Sequence, residues 1–248
     1  LLELEPSRHV LVFVTHHIAA DGFSVGPMTR DLMVAYAARS AGTEPDWAPL
    51  AVRYVDYTLW QQAVLGSEED PKSPVSNQIR HWTRALSSLP EEITFPGDRV
   101  RPDRSSYRGG NITLTLDADT HARLVDVAHA NQSSLFMVLH SSLAVLLARL
   151  SGETDIAIGT PVAGRGEAAL DDVIGMFVNT LVLRTDIDHG GAFTELLARA
   201  RETDLSAFAH AEVPFERLVE VLDPPRSAAR HPLVQVMLTV QNMEQTEL

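Results

Sequence analysis

The stretch Thr15-His16-His17-Ile18-Ala19-Ala20-Asp21-Gly22 joins an apolar run to a helical pattern. The run covers residues 10–14 and has no polar member, which predicts a strand buried on both faces that ends at the histidines. Ser24 is positioned to cap the following helix, with Pro27 in its first turn. We therefore expect two histidines, an aspartate and a glycine at a strand-to-helix junction.

The two histidines of this turn are expected to have different tasks. Neighbouring side chains of extended backbone point to opposite sides, so only one of His16 and His17 is expected to face reactants, while the other holds the turn by hydrogen bonding. Asp21 can either orient an imidazole or bind a distant arginine that locks the loop. Gly22 lets a ligand approach the backbone closely.

Three interpretations of the turn compete at this point: a structural pair of buried histidines, a metal site, and acid–base catalysis. A metal site has less support, because no cysteine and no H-E-x-x-H pattern supply further ligands. G-x-S-x-G elbows, phosphate-binding glycine loops and dinucleotide fingerprints do not occur in the sequence. A histidine that takes a proton from an attacking nucleophile fits acyl transfer without a covalent enzyme intermediate.

The amino-acid composition and net charge limit the classes of protein to which the chain can belong. The chain has 248 residues with 45% hydrophobic content, enough for a sizeable core, and a net charge of -13, which argues against nucleic-acid binding. The longest apolar stretch, residues 135–150, contains His140 and Arg149 and predicts a buried helix rather than a membrane span. No signal peptide and no cysteine are seen, so we expect a cytoplasmic protein.

Periodicity predicts a mixture of helices and strands, and hence an α/β or α+β fold. We expect helices over 54–65, 79–89, 134–150, 193–208 and 214–222, the third of them capped by Ser134, and strands over 111–116, 155–159, 177–185 and 234–241. Residues 96–110 lack periodicity and are rich in Pro, Gly, Asp and Arg, which predicts a linker between a first lobe at 1–95 and a second lobe at 111–248.

The residues also resemble a known family. His16-His17-Ile18-Ala19-Ala20-Asp21-Gly22 matches the H-H-x-x-x-D-G signature of nonribosomal peptide synthetase condensation domains, in the chloramphenicol-acetyltransferase-like superfamily. Further blocks follow in the family's order, and the resemblance covers essentially the whole chain: Tyr54-Val55-Asp56-Tyr57, Thr160-Pro161-Val162-Ala163-Gly164-Arg165, Gly175-Met176-Phe177-Val178-Asn179-Thr180, Val213-Pro214-Phe215-Glu216 and His231-Pro232-Leu233.

The resemblance implies two acetyltransferase-like lobes in a V arrangement around a tunnel. It also implies peptide-bond formation, in which an amine on a downstream carrier protein attacks a peptidyl or aminoacyl thioester on an upstream carrier protein. His17 carries over as the catalytic histidine, as general base or as a positioning and stabilising group. His16 and Asp21 carry over as structural supports, Gly22 as the residue beside the donor arm, and Asn179 and Asn242 as tunnel residues.

The implied partners are the two carrier proteins, each with a 4'-phosphopantetheine arm, and an adjacent adenylation domain. No cofactor or metal is expected to be bound directly. Family domains are considerably longer, so we expect an internal fragment with both lobes incomplete. Residues 67–71, 89–92 and 106–109 resemble members that accept a donor ending in a D-residue. The alternatives are a freestanding acyltransferase acting on an alcohol or amine, and a catalytically silent docking module.

Overall fold

The computed structural model describes residues 1–97 and 101–241. By its contacts the chain divides into two compact units, each assembled from two segments. The first unit is Leu1–Gly66 with Ala163–Val178, and the second is Ser67–Val162 with the chain from Asn179 onward. The histidine motif belongs to the first unit.

The first unit is built around a few apolar side chains at the start of a helix and in a loop. It begins with an antiparallel hairpin of β1 (Leu2–Glu5) and β2 (Arg8–Val10), followed by α1 (Val25–Ser40) and α2 (Tyr54–Leu65). The predicted helix over 54–65 is therefore confirmed, and it ends at Gly66, whose φ is 73°. Its core packs loop residues against the start of α2: Leu170, Val173 and Phe177 with Val52, Tyr54 and Tyr57.

The predicted buried strand over 10–14 is wrong. Strand β2 ends at Val10, and the apolar side chains that follow are exposed, from 50% at Leu11 to 86% at Val14. A strand must pair its backbone groups with a neighbour, and within the described residues β2 pairs with β1 alone. The apolar run therefore reaches the histidines as extended chain without a sheet partner in the described part of the molecule.

The second unit contains the larger core. Its elements are α3 (Pro74–Ala85), α4 (Ala118–Ala130), α5 (Leu135–Ser151), β3 (Asp155–Val162), β4 (Asn179–Asp186), α6 (Phe193–Phe208) and α7 (Phe215–Leu222). Ser134 caps α5 by accepting the Met137 N–H, as the sequence predicts, and Gly152 ends it in the left-handed conformation. Strands β3 and β4 pair antiparallel from Asp155 opposite Asp186 to Val162 opposite Asn179.

Helices cover this two-stranded sheet and bury its apolar side chains. Ile156 and Ile158 of β3 lie in one cluster with Ala144 and Leu147 of α5 and Leu196 of α6. The predicted final strand over 234–241 is reduced to a single parallel bridge between Gly159 and Met237. In the described residues no single helix is long and apolar enough to cross a membrane, although α4 and α5 together, bent by 101° at their junction, meet that requirement by length and composition.

The predicted strand over 111–116 is also wrong. These residues have no regular structure, and Ile112 and Leu114 are 98% and 84% exposed. Apolar and polar residues alternate here as they do in a strand. No described segment pairs with them, however, so there is no sheet face on which the apolar side chains could be buried.

The division by contacts differs from the predicted boundary at 96–110. Residues 67–95 belong with the second unit because the Arg184 guanidinium of β4 donates to the carbonyls of Ala85 and Ser87. Ile93 also lies in the main cluster of that unit. Conversely, the loop of residues 163–178 packs with the histidine motif, although it follows β3 in the chain.

Candidate active site

The histidine motif folds as two consecutive short turns of 3-10 helix, His17–Ala19 and Gly22–Ser24, separated by Ala20 and Asp21. His16 has extended backbone and its Nδ1 accepts the Ile18 N–H at 3.1 Å, so its ring caps the first turn. The His17 side chain is exposed, and no hydrogen bond joins it to another residue of the described chain. One histidine is thus used by the turn, and the other is open to a reactant.

Asp21 is buried, with 3% of its surface exposed, and its carboxylate is surrounded by donors. Oδ1 accepts the Ser24 N–H at 2.9 Å and the Ser24 hydroxyl at 2.8 Å. Oδ2 accepts the Phe177 N–H at 3.0 Å. Burial by itself would raise the pKa of Asp21, but the bonds from Phe177, Ser24 and Arg165 outweigh it and hold that pKa below its usual value.

Arg165 binds the other side of the same carboxylate. Its Nη2 lies 3.0 Å from Asp21 Oδ1, and its Nη1 donates to the carbonyls of Leu170 and Val173. The guanidinium carbon lies 4.0 Å from the centre of the Phe177 ring, which adds a cation–π contact. Of the two roles that the sequence left open for Asp21, the structure shows the pairing with a distant arginine.

Two glycines allow the loop of residues 163–178 to pack this closely. Gly164 has φ of 67°, and a Cβ at this position would overlap the Phe177 carbonyl. At Gly175 a Cβ would overlap the ring of Tyr54, whose hydroxyl donates to the Met176 carbonyl at 2.7 Å. Gly22 differs, because a Cβ there would have no atom within 4 Å, so its backbone is open.

The Asn179 side chain is fully engaged within the second unit. Its Nδ2 donates to the carbonyls of Ala211 and Val213 at 2.8 and 2.7 Å, and its Oδ1 accepts the N–H groups of Thr180 and Phe215. These bonds use both amide hydrogens and both acceptor positions. Asn179 therefore fastens the segment before α7. Asn242 lies outside the described residues.

Sequence reasoning missed the partners that hold the motif. The sequence names Arg165 only within one of the family's blocks, and it assigns Ser24 to capping α1, whereas the Ser24 side chain makes no capping bond to that helix. Only the contact between residues 144 positions apart could identify the arginine. Across residues 1–97 and 101–241, no group of three or more acidic or histidine side chains is arranged to hold a metal ion.

With this geometry in view, comparison with known proteins identifies the family. A model described as "Condensation domain" matches residues 1–248. The chain belongs to the condensation-domain family. A dimodular nonribosomal peptide synthase of Bacillus subtilis (strain 168) is 51% identical over 248 residues, which is 100% of this chain and 10% of that protein.

Two solved structures of condensation-type domains share the fold. The X-domain of teicoplanin biosynthesis, solved in complex with OxyB, matches with a TM-score of 0.84 and 38% identity over 90% of this chain and 49% of that one. AB3403, a four-domain nonribosomal peptide synthetase bound to AMP and glycine, matches with a TM-score of 0.78 and 27% identity over 93% of this chain and 17% of that one. The predicted α/β fold class is confirmed, and the chain spans about half the length of the X-domain chain.

Proposed function

We propose that this condensation domain forms an amide bond between two substrates held as thioesters on carrier proteins. The observation that carries the proposal is the complete histidine motif, in which Asp21 is locked by Arg165 while His17 stays exposed. An exposed imidazole in a turn whose end is held by a buried ion pair is the arrangement expected of a preorganised acid–base group. The 51% identity to a nonribosomal peptide synthase supports the same assignment.

The reaction requires an amine to attack a thioester carbonyl. The new C–N bond forms as the C–S bond breaks, the upstream thiol leaves, and the amine loses one proton. His17 acts at this step, either by accepting that proton or by holding the amine and stabilising the charge that develops on the reacting atoms. His16 and Asp21 keep the turn in shape and do not touch the reactants.

The proposed substrates arrive on 4'-phosphopantetheine arms, and Gly22 is the residue we assign to the donor arm. Its support is local: the backbone at Gly22 has open space where a Cβ would stand. Asn179 does not suit a tunnel role by hydrogen bonding, because its amide is already saturated by backbone groups. It is better described as a support for the segment before α7.

The proposal also covers the partner domains, the cellular location and the stereochemistry of the donor. We assign the upstream and downstream carriers and an adjacent adenylation domain as partners, in the cytoplasm. A donor that ends in a D-residue remains our prediction for the stereochemical subtype. It rests on the sequence blocks at 67–71, 89–92 and 106–109 alone.

The test is a reconstitution with the full-length gene product that contains this sequence and with carrier proteins loaded with aminoacyl thioesters. Condensation product, measured by mass spectrometry, is expected for the wild type and is expected to fall at least about a hundredfold for His17→Ala. His129→Ala removes an exposed histidine of α4 and serves as the matched control. Unchanged product from His17→Ala would rule out both roles proposed for that imidazole.

A second candidate is a docking module without catalysis, favoured by the likeness to an X-domain solved in complex with OxyB. The resemblance assigns loss of the second histidine to such members, whereas this chain keeps His17. A pull-down with an oxygenase, run beside the condensation assay, separates the two functions. Binding without product would support docking. Product from a free acyl thioester and an alcohol or amine, without carriers, would instead support a freestanding acyltransferase.

A further inference from the structure

Ser24 lies where the histidine motif ends and α1 begins, and only 1% of its surface is exposed. A serine at this position ordinarily caps the helix, yet its side chain makes no capping bond to α1. The hydroxyl instead faces back toward the motif and across to the loop of residues 163–178. The hydroxyl closes the capping box of the 3-10 turn Gly22–Ser24 by accepting the Asp21 N–H, and its other contacts indicate a task beyond capping.

Five polar groups surround the Ser24 hydroxyl. Two are acceptors, Asp21 Oδ1 at 2.8 Å and the Gly175 carbonyl at 3.0 Å. Three are donors, the Gly175 N–H and Arg165 Nη2 at 3.1 Å and the Asp21 N–H at 3.3 Å. A hydroxyl has one hydrogen and two acceptor positions, so this oxygen is saturated and fixed from several directions. The contacts span both segments of the first unit.

Gly175 is the point at which Ser24 connects the two segments. Its carbonyl also accepts the Asp21 N–H at 3.1 Å, and the next residues are bound as well, Met176 by the Tyr54 hydroxyl and Phe177 by Asp21 Oδ2. Three consecutive residues of the loop are thus fastened to the motif and to α2. The Ser24 hydroxyl has hydrogen bonds with Gly175, Asp21 and Arg165 at once.

We infer that Ser24 is a positioning residue for His17, an inference that rests on the proposed condensation activity. Only two residues separate the second 3-10 turn, Gly22–Ser24, from the first, His17–Ala19. The position of Ser24 therefore fixes the position of His17 through a short, hydrogen-bonded stretch of backbone. Without the hydroxyl, the buried Gly175 N–H and the Arg165 Nη2 each lose an acceptor, and the turn is free to shift against the loop.

The test compares Ser24→Ala with Ser24→Cys in the full-length gene product. Cysteine keeps a γ atom in the site but is larger than serine and a weak hydrogen-bonding group, whereas alanine removes the γ atom, so the two variants weaken the same bonds with opposite changes of volume. Both variants are expected to lower kcat about tenfold to a hundredfold, because small misplacements of a reacting group reduce rates on this scale. KM for the carrier-bound donor is expected to stay within about threefold.

Two further readouts separate positioning from simple destabilisation. The imidazole nitrogen signals of His17, followed by NMR, are expected to move in both variants, and the folded fraction is measured in every sample. Ser141→Ala removes another fully buried hydroxyl, one that donates to the Met137 carbonyl within α5, and is expected to leave kcat and the His17 signals unchanged.

The outcomes distinguish this inference from the proposed function. A wild-type protein that makes no amide would reject the proposed function, while the His17 signals would still test the positioning. A normal kcat per folded molecule in Ser24→Cys, together with unmoved His17 signals, would overturn the inference. If Ser24→Ala does not fold, the cysteine variant carries the same test.

Discussion

At the scale of single residues, the histidine motif combines exposed histidines with one buried carboxylate, that of Asp21. His17 is exposed, whereas Asp21 is buried among donors from three parts of the first unit. A buried carboxylate is costly to desolvate unless its partners compensate, and here backbone, hydroxyl and guanidinium groups all do so. These bonds hold Asp21 in place, while His17 at the other end of the motif remains exposed to a substrate.

Asp21→Asn tests this carboxylate, since it keeps the shape and removes the charge. At pH 7 we expect the free energy of unfolding to fall by about 3 kcal/mol, because the buried Arg165 loses its charged partner. The measurement is urea denaturation followed by circular dichroism. Asp126→Asn, at an exposed position of α4, is the control and is expected to change the free energy by no more than about 0.5 kcal/mol.

The same variant has a predicted pH dependence. Because the pKa of Asp21 is lower in the folded protein than in the unfolded chain, its stabilisation is complete above the unfolded value, about 3.9, and is lost as the pH falls through the folded value. The difference in stability between wild type and Asp21→Asn should therefore narrow as the pH falls below about 3.9. An equal difference at pH 3 and pH 7 would contradict the assignment of Asp21 as a paired carboxylate.

At the scale of elements, periodicity and capping residues predicted the helices, the strand patterns at 155–159 and 177–185 correspond to the paired strands β3 and β4, and the strand predictions failed where the described residues offer no partner. The helix over 54–65 and the Ser134 cap are confirmed because both depend on neighbours in sequence. Residues 10–14 and 111–116 have strand patterns, but whether a neighbouring strand exists cannot be read from either stretch. The same limit applies to the site, where His16, His17 and Asp21 could be named and Ser24 and Gly175 could not.

The segment before α7 offers a test of the Asn179 geometry. Asn179→Asp replaces the amide nitrogen by an oxygen, so two donated hydrogen bonds are lost and a carboxylate faces the carbonyls of Ala211 and Val213. We expect a loss of about 3 kcal/mol in the free energy of unfolding and faster hydrogen exchange at Phe215. Asn111→Asp, at an exposed position, should change neither quantity. Unaltered exchange at Phe215 would argue against the proposed support.

The loop of residues 163–178 can be tested at its first turn. Gly164→Ala should cost more than about 2 kcal/mol, because alanine is strained at φ of 67° and its methyl group overlaps the Phe177 carbonyl. Gly166→Ala, where a Cβ has no atom within 4 Å, is the matched control and should cost less than about 1 kcal/mol. Equal losses of stability for Gly164→Ala and Gly166→Ala in thermal denaturation would show that the close approach of Gly164 to the Phe177 carbonyl does not contribute to stability.

At the scale of the whole molecule, a net charge of -13 combines with two groups that resist protonation, the buried Asp21 and the half-buried His81. Asp21 stays ionised in the fold, and His81 favours its neutral form. Burial, followed by the nearby His210 and Arg84, lowers the pKa of His81. Acid therefore begins to destabilise the unit that contains His81 below about pH 6.5 and the unit that contains Asp21 below about pH 3.9.

The histidine pair of the second unit gives the corresponding experiment. The rings of His81 on α3 and His210 after α6 are stacked at 3.7 Å with 6° between their planes, and His210 Nδ1 donates to the Ser206 carbonyl. Because the unfolded chain protonates His81 more readily, stability is expected to fall as the pH drops from about 6.5 toward the lower folded value. His81→Phe keeps a stacking ring without a titrating group and should flatten the pH dependence between about pH 7 and 5. His121→Phe, on the exposed side of α4, should keep the wild-type slope in the same urea titrations, and an unchanged slope in His81→Phe would assign the acid sensitivity to other groups.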